Sequence, residues 1–208
     1  MASQFDDIRV SGTITVKETG ISTQTRATIL KQEALAIFPV NFMNLRVWDA
    51  IQTNLPGTPA SDDLGLIGTT FGSTAPRVTA GDCKALGATT RYARFMVQLP
   101  ECYDVGETVT ISLSAGMVTT VASVSCTVDV EAYEIDKIGG IGSDLCTTAA
   151  TTINSLTFAE KAFTITPTTL SAGDVLDVRI TIAVNDGATA TAVTPTIAGI
   201  DLLCDIKG

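Results

Sequence analysis

The chain has 208 residues, a formal net charge of −9 and a pI near 4.4. Its thirteen basic residues are scattered, which excludes a nucleic-acid surface because phosphate binding needs clustered Lys and Arg. No apolar run approaches the roughly 18 residues of a membrane span, so no membrane segment is expected. Yet mean hydropathy is +0.34 and only 17% of residues are charged, so we expect some apolar surface to be buried against other chains.

This length suits one large all-β domain, which commonly has about 200–250 residues. We therefore expect a single β-sandwich domain over residues 1–208, with residues 1–25 as an N-terminal segment or strand engaged in inter-subunit contacts. Ile8, Val10, Ile14 and Val16 alternate along the chain and predict an early strand that ends at Gly20. No basic stretch followed by an apolar run opens the sequence, so we expect synthesis in a cytoplasm without secretion.

The next segment, Arg26 to Asp49, predicts two strands separated by a bend. Pro39 would break a helix at this point, so the helical alternative is weaker. From Gln52 to Gly81 the sequence becomes rich in Pro, Gly and Asp. A structureless loop of that length is uncommon in a compact domain, so this segment predicts either short strands across the sandwich or a surface for contacts.

A strand, a proline corner and a second strand then occur twice. The strand from Phe95 ends at Pro100 and the next begins after Gly106; the second copy starts at Phe163 and has its own proline and glycine at 167 and 173. Proline cannot donate to a sheet ladder and glycine relieves a tight backbone, so each copy predicts a corner between two strands. Two such corners predict a β-sandwich with an approximate internal pairing of its halves.

Between and after the two corners, alternation predicts the remaining strands. Val118 to Asp136 is expected to be the longest strand, with apolar even positions from Val124 to Ala132 facing the core. A turn at Gly139-Gly140 opens a connector from Ile138 to Leu156. Asn185-Asp186-Gly187 predicts a hairpin turn, and a final strand is expected from about Val193 to Ile206. The total is about eight or nine strands.

The sequence offers almost no candidate catalytic residues, in the first place because the chain contains no histidine. Histidine is the commonest general base and metal ligand, so every Ser-His-Asp, Cys-His or His-metal scheme is excluded. The adjacent pairs Asp6-Asp7 and Asp62-Asp63 diverge on an extended chain and form no acid/base couple. Asp62, Asp63 and Asp82 could share a calcium ion if their loop folds back, but this alternative is not favoured. The sequence therefore predicts no catalytic, cofactor-binding or metal-binding residues.

Three other residues have both a structural and a functional interpretation. Arg91 and Arg94 are the nearest basic cluster, and a solvated or salt-bridged strand face is favoured over a phosphate site. Aromatic residues make up 5% of the chain, whereas a sugar-binding platform needs exposed aromatic faces. Trp48, the single tryptophan, lies near apolar residues and is predicted to belong to the core.

The five cysteines are not at metal-ligand spacing, and an odd number without a secretory signal does not indicate a disulfide framework. Period-two alternation places Cys126 and Cys204 on buried strand faces, where they should be core thiols. Cys83, Cys102 and Cys146 fall in connectors, where burial is favoured and an inter-chain disulfide or a reactive thiol is the alternative.

Several stretches together resemble small virion-associated β-sandwich proteins of tailed bacteriophages, from about residue 33 onward. They are Phe95-x-Val97-x-Leu99-Pro100-x-x-Tyr103-x-x-Gly106, Val128-Asp129-Val130-Glu131-Ala132-Tyr133, Gly142-Ser143-Asp144-Leu145, Ala172-Gly173-Asp174-Val175-Leu176, Arg46-Val47-Trp48-Asp49-Ala50, Asn54-Leu55-Pro56-Gly57-Thr58 and Leu203-Cys204-Asp205-Ile206-Lys207-Gly208. The motifs are specific as a set and weak singly. The resemblance implies a jelly-roll-like antiparallel sandwich located on phage particles, and it brings no catalytic residues.

The resemblance implies a structural virion protein, and we favour a capsid decoration or cement protein that stabilises the head. Its expected partners are the major capsid protein or other virion subunits and copies of itself, with a trimer favoured. Expected contact segments are Met1 to Ile8, Gln52 to Gly81 and Ile138 to Leu156. A tail- or fibre-associated receptor-binding or carbohydrate-binding module is the first alternative. A histidine-free glycosidase with two facing carboxylates is the second, and a major shell protein is a third.

Overall fold

A computed structural model describes residues 33–68, 70–135 and 138–207. These residues form thirteen β-strands and one 3-10 turn, Phe42–Asn44, and contain no α-helix. Among them, no helix has the length and hydropathy needed to cross a membrane. The strands are β1 Glu33–Pro39, β2 Arg46–Val47, β3 Ala50–Asn54, β4 Gly65–Ile67, β5 Arg77–Thr79, β6 Gly87–Gln98, β7 Val109–Met117, β8 Ser125–Ile135, β9 Ile141–Asp144, β10 Thr151–Thr152, β11 Ala159–Ile165, β12 Val175–Asp186 and β13 Pro195–Lys207.

The strands pair into two antiparallel sheets. Sheet A has the order β1-β13-β7-β11. The long strand β13 pairs with β1 along its C-terminal part and with β5 at its N-terminal end, and β4 pairs with β5. Sheet B has the order β6-β12-β8, with β9 and β10 on the far side of β8 and with β2 and β3 beyond β6. These two sheets, of six and seven strands, are the layers of a jelly-roll-like sandwich. The predicted all-β sandwich is confirmed, and the additional short strands β2 to β5 lie in the connection between β1 and β6.

Apolar side chains at every second position of the strands fill the space between the sheets. The even positions of β12 from Leu176 to Val184 are buried, as are Cys126, Val128, Val130 and Ala132 of β8. Phe95 of β6 and Phe163 of β11 are the largest aromatic rings that these strands contribute to the core. Because successive side chains point to opposite faces, the odd positions of β8 and β12 lie on the outer face of sheet B.

The strands that flank the two proline corners pair with each other, as predicted. β6 lies beside β12 in sheet B, and β11 lies beside β7 in sheet A. Phe95 is opposite Val178, and the equivalent Phe163 is opposite Ile111. Each corner also contains an equivalent turn hydrogen bond of 3.0 Å. The N–H of Tyr103 donates to the Pro100 carbonyl in the first corner, and the N–H of Leu170 donates to the Pro167 carbonyl in the second. The strands of the two copies therefore pair in equivalent registers.

The prediction of a longest strand from Val118 to Asp136 is wrong at its start. β8 begins at Ser125, and β13, with 13 residues, is the longest strand. Val124, predicted to face the core, is 63% exposed. The chain crosses here from sheet A to sheet B, and distant side chains accept its N–H groups: Asn154 accepts from Ala122 and the Asp186 carboxylate accepts from Ser123.

The predicted hairpin at Asn185-Asp186-Gly187 is also wrong, because β12 and β13 lie in different sheets. Asp186 is buried and accepts hydrogen bonds from the N–H groups of Ala85 and Ser123 and from the hydroxyl of Thr189. It ties three loops together at one end of the sandwich instead of turning a hairpin.

Other predicted elements are confirmed within the described residues. β1, the 3-10 turn and β2 are the two strands and bend expected before Asp49, and β3, β4 and β5 are short strands within or next to the segment from Gln52 to Gly81. The final strand and the turn at Gly139, which has a φ of 91°, are also confirmed. The predicted strand from Ile8 to Val16 and the segment 1–25 lie outside the described residues.

Candidate functional site

The outer face of sheet B carries large polar and aromatic side chains in register across three strands. Arg179 of β12 lies opposite Arg94 of β6 on one side and Glu131 of β8 on the other. Two residues earlier on β12, Asp177 lies opposite Tyr133. Each of these three strands therefore presents charged or aromatic residues two apart on the same face.

Two ion pairs neutralise the charges on this face. The guanidinium of Arg94 donates two hydrogen bonds to the Asp177 carboxylate, with Nε at 2.7 Å from Oδ1, and Arg179 pairs with Glu131. The side chain of Asp177 is only 7% exposed. Its hydrogen bond raises the pKa of Arg94 above the usual value. Two like charges directly opposite each other would destabilise the sheet, and the carboxylates offset the repulsion between the two arginines.

Trp48 projects from the turn between β2 and β3 onto the same face. Its ring centroid lies 5.0 Å from that of Tyr92 at an interplanar angle of 46°, and its Nε1–H donates to Asp62 Oδ2 at 3.1 Å. The Arg179 Cζ lies 5.7 Å from the Trp48 centroid and 5.3 Å from that of Tyr92, within the range of cation–π attraction. The prediction that Trp48 belongs to the core is wrong, because its ring is half-buried at the surface.

These side chains surround a groove of about 220 Å³. Pockets for drug-sized ligands have roughly 300–1,000 Å³, so the groove suits one small ring or one side chain. It is lined by residues of four strands and one turn: Trp48, Arg94, Glu131, Tyr133, Ile141, Asp177 and Arg179. Its floor has paired charges and its sides have aromatic and aliphatic surface.

The outer face of sheet A carries exposed aliphatic residues. Leu35 and Ile37 of β1 are 62% and 61% exposed, and Leu203 of β13 lies opposite Ile37. We call these three residues the apolar patch. The neighbouring outward positions on β7 and β11 carry small residues: Thr110, Ser112, Ser114, Ala162 and Thr164. Carboxylates also lie on this face: Asp205 is opposite Leu35, Asp201 is opposite Ser112, and Glu160 accepts a hydrogen bond of 3.5 Å from the Ser112 hydroxyl.

Two of the three candidate calcium ligands accept hydrogen bonds from other parts of the chain. Asp62 accepts the hydrogen bond from Trp48, whereas Asp82 accepts the N–H groups of Lys84 and Val193 at 3.0 Å each, which lowers the pKa of Asp82. Burial, with the charges of Asp62 and Asp49 nearby, raises the pKa of Asp63. Within residues 33–68, 70–135 and 138–207, no group of three or more His, Cys, Asp or Glu side chains is placed to hold a metal ion.

Both arginines of the predicted basic pair have partners within the chain. Arg94 is in the ion pair described above, which confirms the salt-bridged strand face. Arg91 donates to the backbone carbonyls of Ala80 and Ser61, the latter at 3.3 Å. It therefore anchors the segment between β3 and β6.

All five cysteines are free thiols. Cys126 and Cys204 are core residues, as predicted, and burial raises their pKa values to about 12 and about 11. Cys83 lies in a connector but is also buried, and burial raises its pKa. Of the five, only Cys102 is exposed, and Cys146 is partly exposed. The alternative of a reactive or cross-linked thiol therefore applies to Cys102 and Cys146 alone.

Two of the three expected contact segments are described. The segment from Gln52 to Gly81 contains Phe71, whose side chain is fully exposed. The segment from Ile138 to Leu156 has three exposed aliphatic residues: Ile138, Leu156 and Ile141. Ile141 also lines the groove. Met1 to Ile8 lies outside the described residues.

Sequence reasoning missed the groove, although a signal for it was present. Tyr92 and Arg94, Glu131 and Tyr133, and Asp177 and Arg179 are pairs of large polar or aromatic residues two apart on predicted strands. Single strands of this kind are common on wet sheet faces. Only the pairing of β6, β12 and β8 brings the three sets together.

No protein-family model and no curated protein matches the chain. Among solved structures, the CBM22-1 xylan-binding domain of Paenibacillus barcinonensis Xyn10C is 12% identical, with a TM-score of 0.42 over 85% of this chain and 98% of that chain. The xylan-binding module CBM15 is 17% identical, with a TM-score of 0.39 over 82% and 97%. A chain of infectious bursal disease virus, Gx strain, is 10% identical, with a TM-score of 0.41 over 86% and 33%. Likenesses this distant say nothing about what this chain binds.

Proposed function

We propose that this chain is a structural virion protein of a tailed phage, a capsid decoration or cement subunit that binds the outside of the head. Its partners are the major capsid protein or other virion subunits and further copies of itself, with a trimer as the favoured assembly. The resemblance of the sequence to virion-associated sandwich proteins supports the class. The single structural observation that supports contact with other subunits is the apolar patch on sheet A.

The patch suits a protein contact because it has exposed aliphatic side chains on the same sheet face as the small residues of β7 and β11. Burying a Leu or Ile side chain fully contributes about 1.5–3 kcal/mol, and Leu35 and Ile37 are both more than half exposed. The Thr, Ser and Ala residues on β7 and β11 allow a partner to approach closely. Each contact is modest, but many copies of it on one shell together strengthen the shell.

Binding of the purified chain to particles that lack it tests this proposal. Ile37→Asp places a carboxylate in the patch, and we expect it to weaken the affinity for the particle about tenfold or more, since losing about 1.4 kcal/mol per contact is tenfold in affinity. Val124→Asp is the matched control, because Val124 is as exposed as Ile37 but lies where β8 begins. The proposal fails if the unmodified chain does not bind, or if both variants bind as well as it does.

The groove on sheet B favours a second candidate function, a tail- or fibre-associated receptor-binding or carbohydrate-binding module. The observation that supports it is Trp48 at the side of the groove, next to ion-paired polar groups. This candidate predicts that the isolated chain binds an oligosaccharide, and that a particle carries a few copies at its tail rather than hundreds on its head.

A further inference from the structure

We infer that the groove on sheet B binds an uncharged sugar ring, in preference to an acidic or a basic ligand. This inference rests on the second candidate function and specifies its ligand. The residues that make contact are the aromatic side chains Trp48 and Tyr133 and the two ion pairs on the floor.

The floor of the groove favours a ligand whose groups both donate and accept hydrogen bonds. Asp177 and Glu131 offer acceptor oxygens, while Arg94 and Arg179 offer donors. A sugar hydroxyl has one donor and two acceptor lone pairs. It can therefore bridge a carboxylate and a guanidinium without separating them, which neither a carboxylate nor an ammonium group of a ligand can do.

Charge argues against the other ligand classes. An acidic ligand needs an available cation, but both arginines that line the groove are ion-paired and the chain has a net charge of −9. A basic ligand would have to compete with Arg94 for Asp177, whose side chain is almost fully buried. Breaking a buried pair leaves an uncompensated charge and is costly. A neutral polar ligand avoids both costs.

The sides of the groove supply apolar contact for the ring. Aromatic side chains pack against flat or weakly polar surfaces and present a polar tip to the solvent, and the C–H faces of a pyranose are such a surface. Arg179 lies within cation–π distance of Trp48 and Tyr92, and Asp62 accepts the Trp48 Nε1–H, so contacts within the chain hold the Trp48 ring. Pre-positioned side chains lose less conformational entropy on binding. The volume of about 220 Å³ is small enough that one ring fills the groove.

Trp48 is the only tryptophan, so intrinsic fluorescence reports on the groove directly. The full chain is titrated to millimolar concentrations with neutral oligosaccharides of glucose, galactose, mannose, xylose and N-acetylglucosamine. An oligosaccharide of galacturonic acid is the charged counterpart of the galactose series. We expect a saturable change in Trp48 fluorescence with at least one neutral series and a weaker response to the acidic one.

Tyr133→Ala keeps the Trp48 signal, and we expect it to weaken binding about 3- to 10-fold, the range for loss of one aromatic contact. Phe71→Ala, which removes an aromatic ring that is exposed outside the groove, should bind like the unmodified chain. Thermal unfolding of both variants identifies any loss of fold. Equal or tighter binding of the acidic oligosaccharide overturns the inference but leaves the carbohydrate-binding candidate standing. No binding by any series, or unchanged binding by Tyr133→Ala, overturns the groove as a sugar site.

Discussion

At the scale of single residues, Trp48 shows why a surface site escapes local reasoning. Its apolar neighbours in sequence suggest burial, but the turn between β2 and β3 points the ring outward and Asp62 accepts its Nε1–H. The partner of Arg94 is Asp177, 83 residues away. The spacing of residues along one strand does not identify such a partner, because the register between strands is set by the whole sheet.

Asp186 is the residue whose ionisation should matter most for stability. Hydrogen bonds from the Ala85 N–H and the Thr189 hydroxyl, with those from Ser123, hold the pKa of this carboxyl well below its usual range. A lowered pKa in the folded state stabilises the protein above the unfolded pKa of about 4, and this stabilisation is lost as the pH falls toward the folded pKa. Asp186→Asn should therefore lower Tm at neutral pH, and the difference in Tm should shrink below about pH 4.

Thermal unfolding from neutral pH to about pH 2 measures this difference. Asp201→Asn, on the outer side of β13, is the control and should change Tm little at any pH. A difference between Asp186→Asn and the unmodified chain that stays constant over the whole pH range would contradict the role given to the ionised carboxyl.

At the scale of elements, the two corners could be predicted because proline and glycine act locally. Pro100 and Pro167 end strands, and Gly106 and Gly173 both have positive φ, 94° and 82°. The crossing before β8 could not be predicted in the same way. Alternation continues through Val124 in the sequence, but distant side chains accept the N–H groups of Ala122 and Ser123.

Gly106→Ala tests the first corner. No atom lies within 4 Å of a Cβ added there, so the cost comes from the backbone alone, and we expect a loss of about 1–2 kcal/mol in the free energy of unfolding. Gly57→Ala is the matched control, because its added Cβ also meets open space and its φ lies outside the left-handed region. It should be neutral or slightly stabilising. Urea unfolding of both variants gives the comparison, and equal effects would show that the corner does not require glycine.

At the scale of the whole molecule, the two copies of the strand, corner and strand pair in the same way but carry different outer surfaces. Arg94 and Asp177 of sheet B correspond to Ala162 and Thr110 of sheet A. The outer face of sheet B therefore carries aromatic rings and two ion pairs, whereas the outer face of sheet A combines the apolar patch and small residues with carboxylates such as Asp201 and Asp205. The sequence predicts the sandwich and its internal pairing, since both follow from alternation and turn residues. It does not predict this division of faces, which depends on the strand order within each sheet.

The division suits a subunit that docks on a particle through sheet A and presents sheet B to the surroundings. This arrangement needs no catalytic group, and it gives the apolar patch and the groove separate roles. Loss of the patch should remove the protein from particles, whereas loss of Tyr133 should leave its attachment unchanged.

The number and position of copies on purified phage particles test the proposed function most directly. Quantitative mass spectrometry gives the copy number, and cryo-electron microscopy of particles with and without the protein gives its position. We expect several hundred copies, on the order of the multiplicity of a shell, bound to the outside of the head. Complete absence of the chain from purified particles, or a handful of copies at the tail, would contradict the decoration role.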